Sequence, residues 1–355
     1  MRKNHEFWNT QPVDKNGVGI IPNGTSGSLE QPKLPDGFRF EDLRCIEEVT
    51  EFLEKNYVED VHAEHMLRYS SNFLKWVIDC GGEKKKYCIV LRLCGRMVGF
   101  IFGKEHHVVI RGEKNRAIGV NFLCVAQEMR GRRLAPILIK EITRRANVDG
   151  IFKGVFTSGT ELFFNVSHGR YYHRPLNAEN LFMSRFSDRI MKIRETRVRR
   201  GTRIAEERDM KEIERLYMEE SKRYMLYEEM GSSDIISALK PVKNVVYTYV
   251  HEDDGCIDGF GAFLIIETIE KKSRRSVQGG YLYYRGGKDN TKMVEDLIYF
   301  AQKEGCDVFN CLDIMENSLF LEGLGFFPGS GELRYYLYNW SSGEVPKDKV
   351  FFILP

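Results

Sequence analysis

The sequence predicts an α/β fold made of a duplicated unit, two similar halves that together build one mixed sheet with flanking helices. Three observations lead there. Strand-like and helix-like segments alternate along the chain, and their order in the first half recurs in the second. A length of 355 residues suits two domains, or one large domain of two halves.

Taken in order, the stretch from Asn16 to Asp36 is rich in Gly, Pro, Ser and Asn and reads as an irregular arm. Glu41 to Tyr57 carries Leu43, Ile46, Val49, Phe52 and Leu53 at helical spacing. Tyr87 to Leu93 and Met97 to Phe102 read as strands joined at Cys94-Gly95-Arg96, and Ala117 to Val125 as a further apolar strand. A helix follows from about Leu134 to Ala146, with Leu134, Ile137, Leu138 and Ile142 on one face and Pro136 tolerated in its first turn.

The second half repeats this order. Asp209 to Tyr224 is helical, Val245 to Val250 and Gly259 to Ile266 are strands, Tyr281 to Tyr284 is an aromatic strand, and Lys292 to Lys303 is an amphipathic helix. Gly99-Phe100-Ile101-Phe102 and Gly259-Phe260-Gly261-Ala262 occupy matching places.

Composition narrows the function classes. A net charge of +2 gives no overall drive toward nucleic acid, so DNA is not an expected partner. The segment from Met1 to Val13 is polar, which argues against a secretory signal, and no apolar run approaches the ~20 residues that span a bilayer. The eight cysteines are scattered without a CxxC pair, as reduced thiols of a cytoplasmic protein are. The 23 Phe, 17 Tyr and 3 Trp fill a core, and they also suit walls around a long apolar ligand. His62 and His65, with Glu64 between them, have no usefully spaced third ligand, so no metal is expected.

The most chemistry lies between Asn121 and Pro136. An apolar strand ends, a loop bears Arg130, Gly131, Arg132 and Arg133, and a helix begins. Free N–H groups at a helix N-terminus beside guanidinium groups form an anion site suited to a pyrophosphate. A solvated basic turn is the alternative that the arginines alone would suggest. Two more basic groups stand apart. Arg194, Arg197, Arg199, Arg200 and Arg203 read as a solvated linker, and Lys271, Lys272, Arg274 and Arg275 as a hairpin loop. Docking near ribosomal RNA is the other use for either. The last six residues, Val350-Phe-Phe-Ile-Leu-Pro355, are more apolar than a frayed tail and should pack inside.

Several blocks then resemble the glycylpeptide N-tetradecanoyltransferases (N-myristoyltransferases), from one end of the chain to the other. They are Glu6-Phe-Trp-Asn-Thr-Gln-Pro-Val13, Asn56-Tyr-Val-Glu-Asp60, Asn121-Phe-Leu-Cys-Val125, Glu141-Ile-Thr-Arg-Arg145, Arg170-Tyr-Tyr-His-Arg174, Asp307-Val-Phe-Asn310, Met315-Glu-Asn317 and Tyr335-Tyr-Leu-Tyr-Asn-Trp340. Arg130 to Ala135 also loosely matches the acyl-CoA loop of the GNAT acyltransferases. The resemblance implies two pseudo-symmetric GNAT-like halves in one saddle-shaped sheet. Residues 1–36 would be an arm partly contacting acyl-CoA, 37–195 an acyl-CoA-binding half, and 196–355 a half that binds peptide and supplies the terminal carboxylate.

It also implies roles. Backbone N–H groups of Phe122 and Leu123 would form an oxyanion hole, whose fixed dipoles need not reorganise as charge develops. Glu6, Phe7, Trp8, Cys124, Val125, Gly131, Arg133, Leu134 and Ala135 fall at acyl-CoA contacts, although Trp8 alone would read as a core anchor. Asn121 and Thr157 would hold the acceptor amine, and the carboxylate of Pro355 would be the general base. A free α-carboxyl titrates near ~3.5 and an α-amino group near ~7.8, and burial narrows that gap. Glu59, Asp60, Tyr171, His173, Ser330 and Gly331 would meet the peptide. The expected reaction is direct transfer from myristoyl-CoA, a co-substrate, to N-terminal-Gly peptides and nascent proteins, by a monomer without a prosthetic group. Burying a tetradecanoyl chain at ~0.8 kcal/mol per CH₂ is worth roughly 10 kcal/mol and requires a closed apolar pocket. A GNAT-type N-acetyltransferase needs no such pocket, and an inactive acyl-CoA or lipopeptide-binding module is a further alternative.

The signatures also depart from the family pattern. E-[IV]-N-F-L-C-x-H-K reads Gly119 to Gln127, without its acid, His or Lys, and K-F-G-x-G-D-G reads Gly325 to Gly331, with Ser330 in place of its Asp. The acidic run after Asp60 gives Val61 and His62. A relaxed preference for Ser and Lys in the peptide is the expected consequence.

Overall fold

The computed structural model describes residues 6–17, 29–57, 64–79 and 85–355. A short helix α1 (Glu6–Asn9) precedes β1 (Phe38–Asp42), α2 (Ile46–Asn56), β2 (His65–Arg68) and α3 (Ser71–Asp79). Then come β3 (Cys88–Leu93), β4 (Arg96–Ile110), β5 (Glu113–Val125), α4 (Leu134–Val148), β6 (Lys153–Ser158), β7 (Ser167–Pro175) and α5 (Ala178–Met183). The second half runs β8 (Thr202–Ile204), α6 (Met210–Ser221), β9 (Leu226–Glu228), α7 (Ser232–Leu239), β10 (Val246–Asp253), β11 (Cys256–Glu270) and β12 (Ser276–Gly287). It closes with α8 (Asn290–Lys303), β13 (Val308–Leu312), α9 (Ser318–Leu321), β14 (Phe327–Tyr338) and β15 (Val350–Phe351).

Among the described residues all of these strands join one open mixed sheet, whose central order is β3-β4-β5-β6-β14-β7-β13-β12-β11-β10. The duplication read from the sequence is visible in the pairing. Antiparallel β3, β4 and β5 are followed by the parallel pair β5–β6, as antiparallel β10, β11 and β12 are followed by the parallel pair β12–β13. Helices α4 and α8 cover equivalent positions. Gly99 and Gly103 of β4 leave room for Leu138 and Ile142 of α4, and Gly261 of β11 leaves it for Met293 and Leu297 of α8. Each of these fully buried aliphatic side chains is worth about 1.5–3 kcal/mol, so the glycines trade strand propensity for helix-to-sheet packing.

The halves also exchange strands. Strand β14 of the second half pairs with β6, β7 of the first half pairs with β13, and β14 and β7 pair with each other. The centre of the sheet is therefore built crosswise.

Two segments differ from their reading in sequence. The helix expected from Glu41 begins at Ile46, because residues 38–42 pair with β3 as a strand and Arg92 ties Glu41 of that strand to Glu48 of the helix, at 2.7 and 2.6 Å. The arginines between the halves are not a uniformly solvated linker either. Arg199 is held by Asp296 at 2.8 Å, Arg203 by Asp209 at 2.6 Å and Glu252 at 2.9 Å, and Arg194 by the Gly323 carbonyl. Asp296 and Glu252 lie 97 and 49 positions from their arginines, in α8 and β10, which a local charge count does not reveal. Lys271 to Arg275 form the β11–β12 loop, as read.

Candidate active site

Strands β5 and β6 pair only from Ala117–Lys153 to Val120–Phe156. Beyond that point they part, and Asn121 to Val125 and Thr157 flank the opening. A β-bulge shapes the β5 side. Phe100 pairs with Cys124 and Phe102 with Asn121, so Phe122 and Leu123 together oppose Ile101. The extra residue leaves the regular ladder and turns the backbone, and Phe122 has φ +53°, an uncommon conformation for a bulky side chain. An aromatic cage holds it there, with Tyr57 at 5.8 Å, Tyr69 at 5.1 Å and Phe102 at 6.4 Å between ring centroids.

The C-terminal tail closes the site from below. Val350, Phe351 and Phe352 are fully buried, and β15 pairs with β9. The Phe352 carbonyl accepts a hydrogen bond from the Tyr335 hydroxyl at 2.8 Å, and the Ile353 N–H donates to the Tyr284 hydroxyl at 3.1 Å. These bonds fix the last residue, where Asn121 Nδ2 donates to a terminal oxygen of Pro355 at 3.0 Å. A small cavity of about 20 Å³ opens beside this pair, walled by Trp76, Val77, Phe102, Lys104, His106, Glu228, Met230, Ala238, Tyr283 and Ile353 as well.

His106 and Glu228 escaped the sequence reading. His106 lies 4% and Glu228 6% exposed, and His106 Nδ1 is 2.7 Å from Glu228 Oε1. Burial alone would raise the Glu228 carboxyl; the adjacent imidazole outweighs it and holds the group below its ordinary value. The imidazole also explains Gly119, where the family pattern carries an acid: a Cβ there would sit 2.5 Å from the ring. Two histidines inside the otherwise apolar end of β4 were the available signal, but the partner lies 122 positions away.

At the far side of the opening, Gly131 (φ +81°) and Arg133 (φ +59°) turn the chain into α4, and no side chain caps that helix start. Exposed Arg132 stands beside that uncapped start, the setting an anion site uses. Arg130 donates to the Asn56 carbonyl at 2.6 Å, and Arg133 pairs with Glu6 at 2.9 Å across solvent. Leu134 is buried and Ala135 partly so in the first turn of α4. Trp8 stacks on Phe156 of β6 at 5.4 Å and leans on Phe163 and Phe7, which ties α1 to the rim of the same opening. Trp8 is thus a core anchor and a neighbour of the site at once. Val125 ends β5, and the buried Cys124 thiol is pushed up to about 12 by desolvation.

A second group of the expected residues gathers around β7. His173 Nδ1 lies 2.7 Å from Asn310 Oδ1, and burial holds its imidazole below the ordinary proton affinity against that bond. The ring fills the space beside Gly329, while Ser330 and Gly331 lie exposed in a bulge of β14 and Tyr171 packs near Gly331 and Tyr281. Burial raises the Tyr171 hydroxyl above its usual range. Glu59, Asp60, Val61 and His62 lie outside the described residues. His65 is engaged with the Ser184 carbonyl at 2.9 Å. Among the described residues no helix is long and apolar enough to cross a membrane.

The parted strands, the bulge and the uncapped helix after it frame the site, and comparison decides the family. The N-terminal domain of myristoyl-CoA:protein N-myristoyltransferases matches residues 26–169, and the C-terminal domain of the same enzymes matches residues 177–350. The chain belongs to the myristoyl-CoA:protein N-myristoyltransferase family. It is 32% identical over 387 residues to a probable glycylpeptide N-tetradecanoyltransferase of Caenorhabditis elegans, covering 99% of this chain and 86% of the relative. It is also 32% identical over 382 residues to glycylpeptide N-tetradecanoyltransferase 2 of Danio rerio, covering 99% and 77%. The crystal structure of Saccharomyces cerevisiae N-myristoyltransferase with bound myristoyl-CoA superposes with a TM-score of 0.91 at 26% identity, over the whole of both chains. A GCN5-related N-acetyltransferase from Anabaena variabilis shares the fold alone, with a TM-score of 0.52 at 13% identity over 84% of this chain and 72% of that one. As an N-myristoyltransferase, the chain is an acyltransferase.

Proposed function

We propose that this N-myristoyltransferase moves a tetradecanoyl group from myristoyl-CoA to the N-terminal glycine amine of peptides and nascent proteins by direct attack on the thioester. The hydrogen bond between Asn121 and the terminal carboxylate of Pro355 carries this reading, because it puts a fixed proton acceptor beside the bulge at Phe122–Leu123. The N–H groups of that bulge receive the carbonyl oxygen as it becomes negative. They are fixed dipoles that need not reorganise as the charge develops. Asn121 and Thr157 orient the amine, the carboxylate removes one proton, the nitrogen lone pair attacks the carbonyl carbon, and the C–S bond breaks as the carbonyl reforms. The start of α4 with Arg132 and Arg133 takes the CoA phosphates, and α1 with Phe7 and Trp8 lines the cofactor's path. Cys124 stays a protonated thiol at neutral pH and is a poor nucleophile, which favours transfer without an acyl-enzyme. The residues of 1–36, 37–195 and 196–355 serve as arm, acyl-CoA half and peptide half, in a cytoplasmic monomer.

One turnover assay with myristoyl-CoA and a Gly-starting octapeptide tests the reading, alongside calorimetry with acetyl-CoA and myristoyl-CoA. Acylated peptide and clear preference for the long chain are expected. Tight binding of myristoyl-CoA without turnover would leave an inactive binding module, and equal use of acetyl-CoA an acetyltransferase.

A further inference from the structure

We infer that His106 and Glu228 form a second proton acceptor of the active site, which takes the second of the two protons that the glycine amine must lose. The inference rests on the direct-attack reading above. Four observations carry it. Both residues line the cavity that also holds Asn121 and the Pro355 carboxylate. Glu228 fixes the ring by accepting from Nδ1, so the lone pair of the neutral imidazole is on Nε2. Nε2 points at Gly119, where a Cβ would lie 2.6 Å from it and 3.0 Å from the Leu354 side chain. Gly119 and Asn121 share one face of β5 two residues apart, about 7 Å at ~3.3 Å per residue, a span that a chain of two water molecules bridges.

The stoichiometry supplies the need. The glycine arrives as an ammonium ion and leaves as an amide, so two N–H bonds break. The Pro355 carboxylate takes the first proton and frees the lone pair that forms the C–N bond. The nitrogen then carries a positive charge and two hydrogens, and the carboxylate is already protonated. Nε2 accepts the next proton, and the resulting imidazolium is stabilised by the Glu228 carboxylate. The carbonyl reforms, the C–S bond breaks, the thiolate takes the proton held by the terminal carboxyl, and His106 returns its own to solvent. Other titratable groups face the pair: Lys104 and His107 from β4, Tyr217 from α6, Tyr284 from β12 and the terminal carboxylate.

The test is the pH profile of kcat for the wild type, His106→Gln, Glu228→Gln and the double variant H106F/E228M. The double variant replaces a buried pair with apolar side chains, a change that folded proteins often tolerate. Expected are a fall in kcat at neutral pH of about 100-fold or more, a deficit that narrows as pH falls because the variants lack a base that acid would disable, and a myristoyl-CoA Kd within about 2-fold of wild type. A folded double variant that follows the wild-type profile overturns the inference, as does a fall of equal size at every pH, which would mark a structural role. A wild type that binds myristoyl-CoA without turning over instead sinks the direct-attack reading itself, so the two failures are distinct.

Discussion

Asn121 Nδ2 and a terminal oxygen of Pro355 meet at 3.0 Å although 234 positions separate the two residues. The tail is held on the way by Tyr335 and Tyr284, so the carboxylate cannot drift from the bulge.

A chain extended by a few residues after Pro355 should therefore lose turnover and keep myristoyl-CoA binding. The extension removes the carboxylate from its place while leaving α4 and the bulge untouched. Full activity in a C-terminally tagged form, measured on a Gly-starting peptide, speaks against the terminal carboxylate as base.

Cys124→Ala should turn over within a few-fold of wild type. Its thiol is pushed up to about 12 by burial, so the thiolate is scarce at neutral pH. Intact mass spectrometry during turnover should show no covalent acyl-protein, and an adduct lost in Cys124→Ala would contradict direct transfer.

Gly119→Ala introduces a Cβ 2.5 Å from the His106 ring, which is clamped by Glu228 and edges against Phe352. Overpacking of this kind costs about 1–3 kcal/mol. Denaturant unfolding should register that loss, and an unchanged midpoint would mean the ring has room to move.

Glu270 accepts the N–H groups of Lys272 at 3.1 Å and Ser273 at 2.5 Å, and the Ser273 hydroxyl foremost, then these N–H groups, bring its carboxyl down to about 2. A lowered carboxyl contributes stability that is complete above its ordinary value of 4.5 and is lost as pH falls toward 2. Urea unfolding between pH 6 and pH 3 should thus show the gap between wild type and Glu270→Gln shrinking as pH falls. A constant gap would remove the carboxylate from this role.

Peptide selection should be lenient. Ser330 stands where the family pattern has an Asp, and His173 is held neutral by burial beside Asn310. Replacing a serine near the peptide N-terminus with alanine should lower kcat/KM by less than about 10-fold, the worth of one modest neutral hydrogen bond. A steeper fall would mean that His173 and the Gly331 backbone suffice to read the serine.

Much of this could be read from residue order. Helix α4 was legible because Leu134, Leu138 and Ile142 recur at helical spacing, and α8 likewise. Strand ends were less legible: β4 extends to Ile110, well past Phe102, because pairing with β5 and β9 pays no attention to local hydropathy. The resemblance marked Phe122 and Leu123 but no bulge, since nothing in Phe-Leu-Cys announces a positive φ. The His106–Glu228 pair was invisible, because a hydrogen bond over 122 positions leaves no local pattern.

The sequence by itself determined the duplicated α/β unit, from the order of its elements, and the family, from motif blocks that run from one end of the chain to the other. Only the tertiary structure shows how the two halves differ at their matching bulges. The second half repeats the bulge, with Tyr283 and Tyr284 together opposite Ala262. There the Tyr284 hydroxyl takes the Ile353 N–H and the tail packs over it, whereas the first-half bulge stays open beside the carboxylate that the same tail delivers. Crosswise exchange of β7 and β14 sets that tail between the halves. Such pairing is decided by burial and backbone hydrogen bonding over long separations, and local sequence does not encode it.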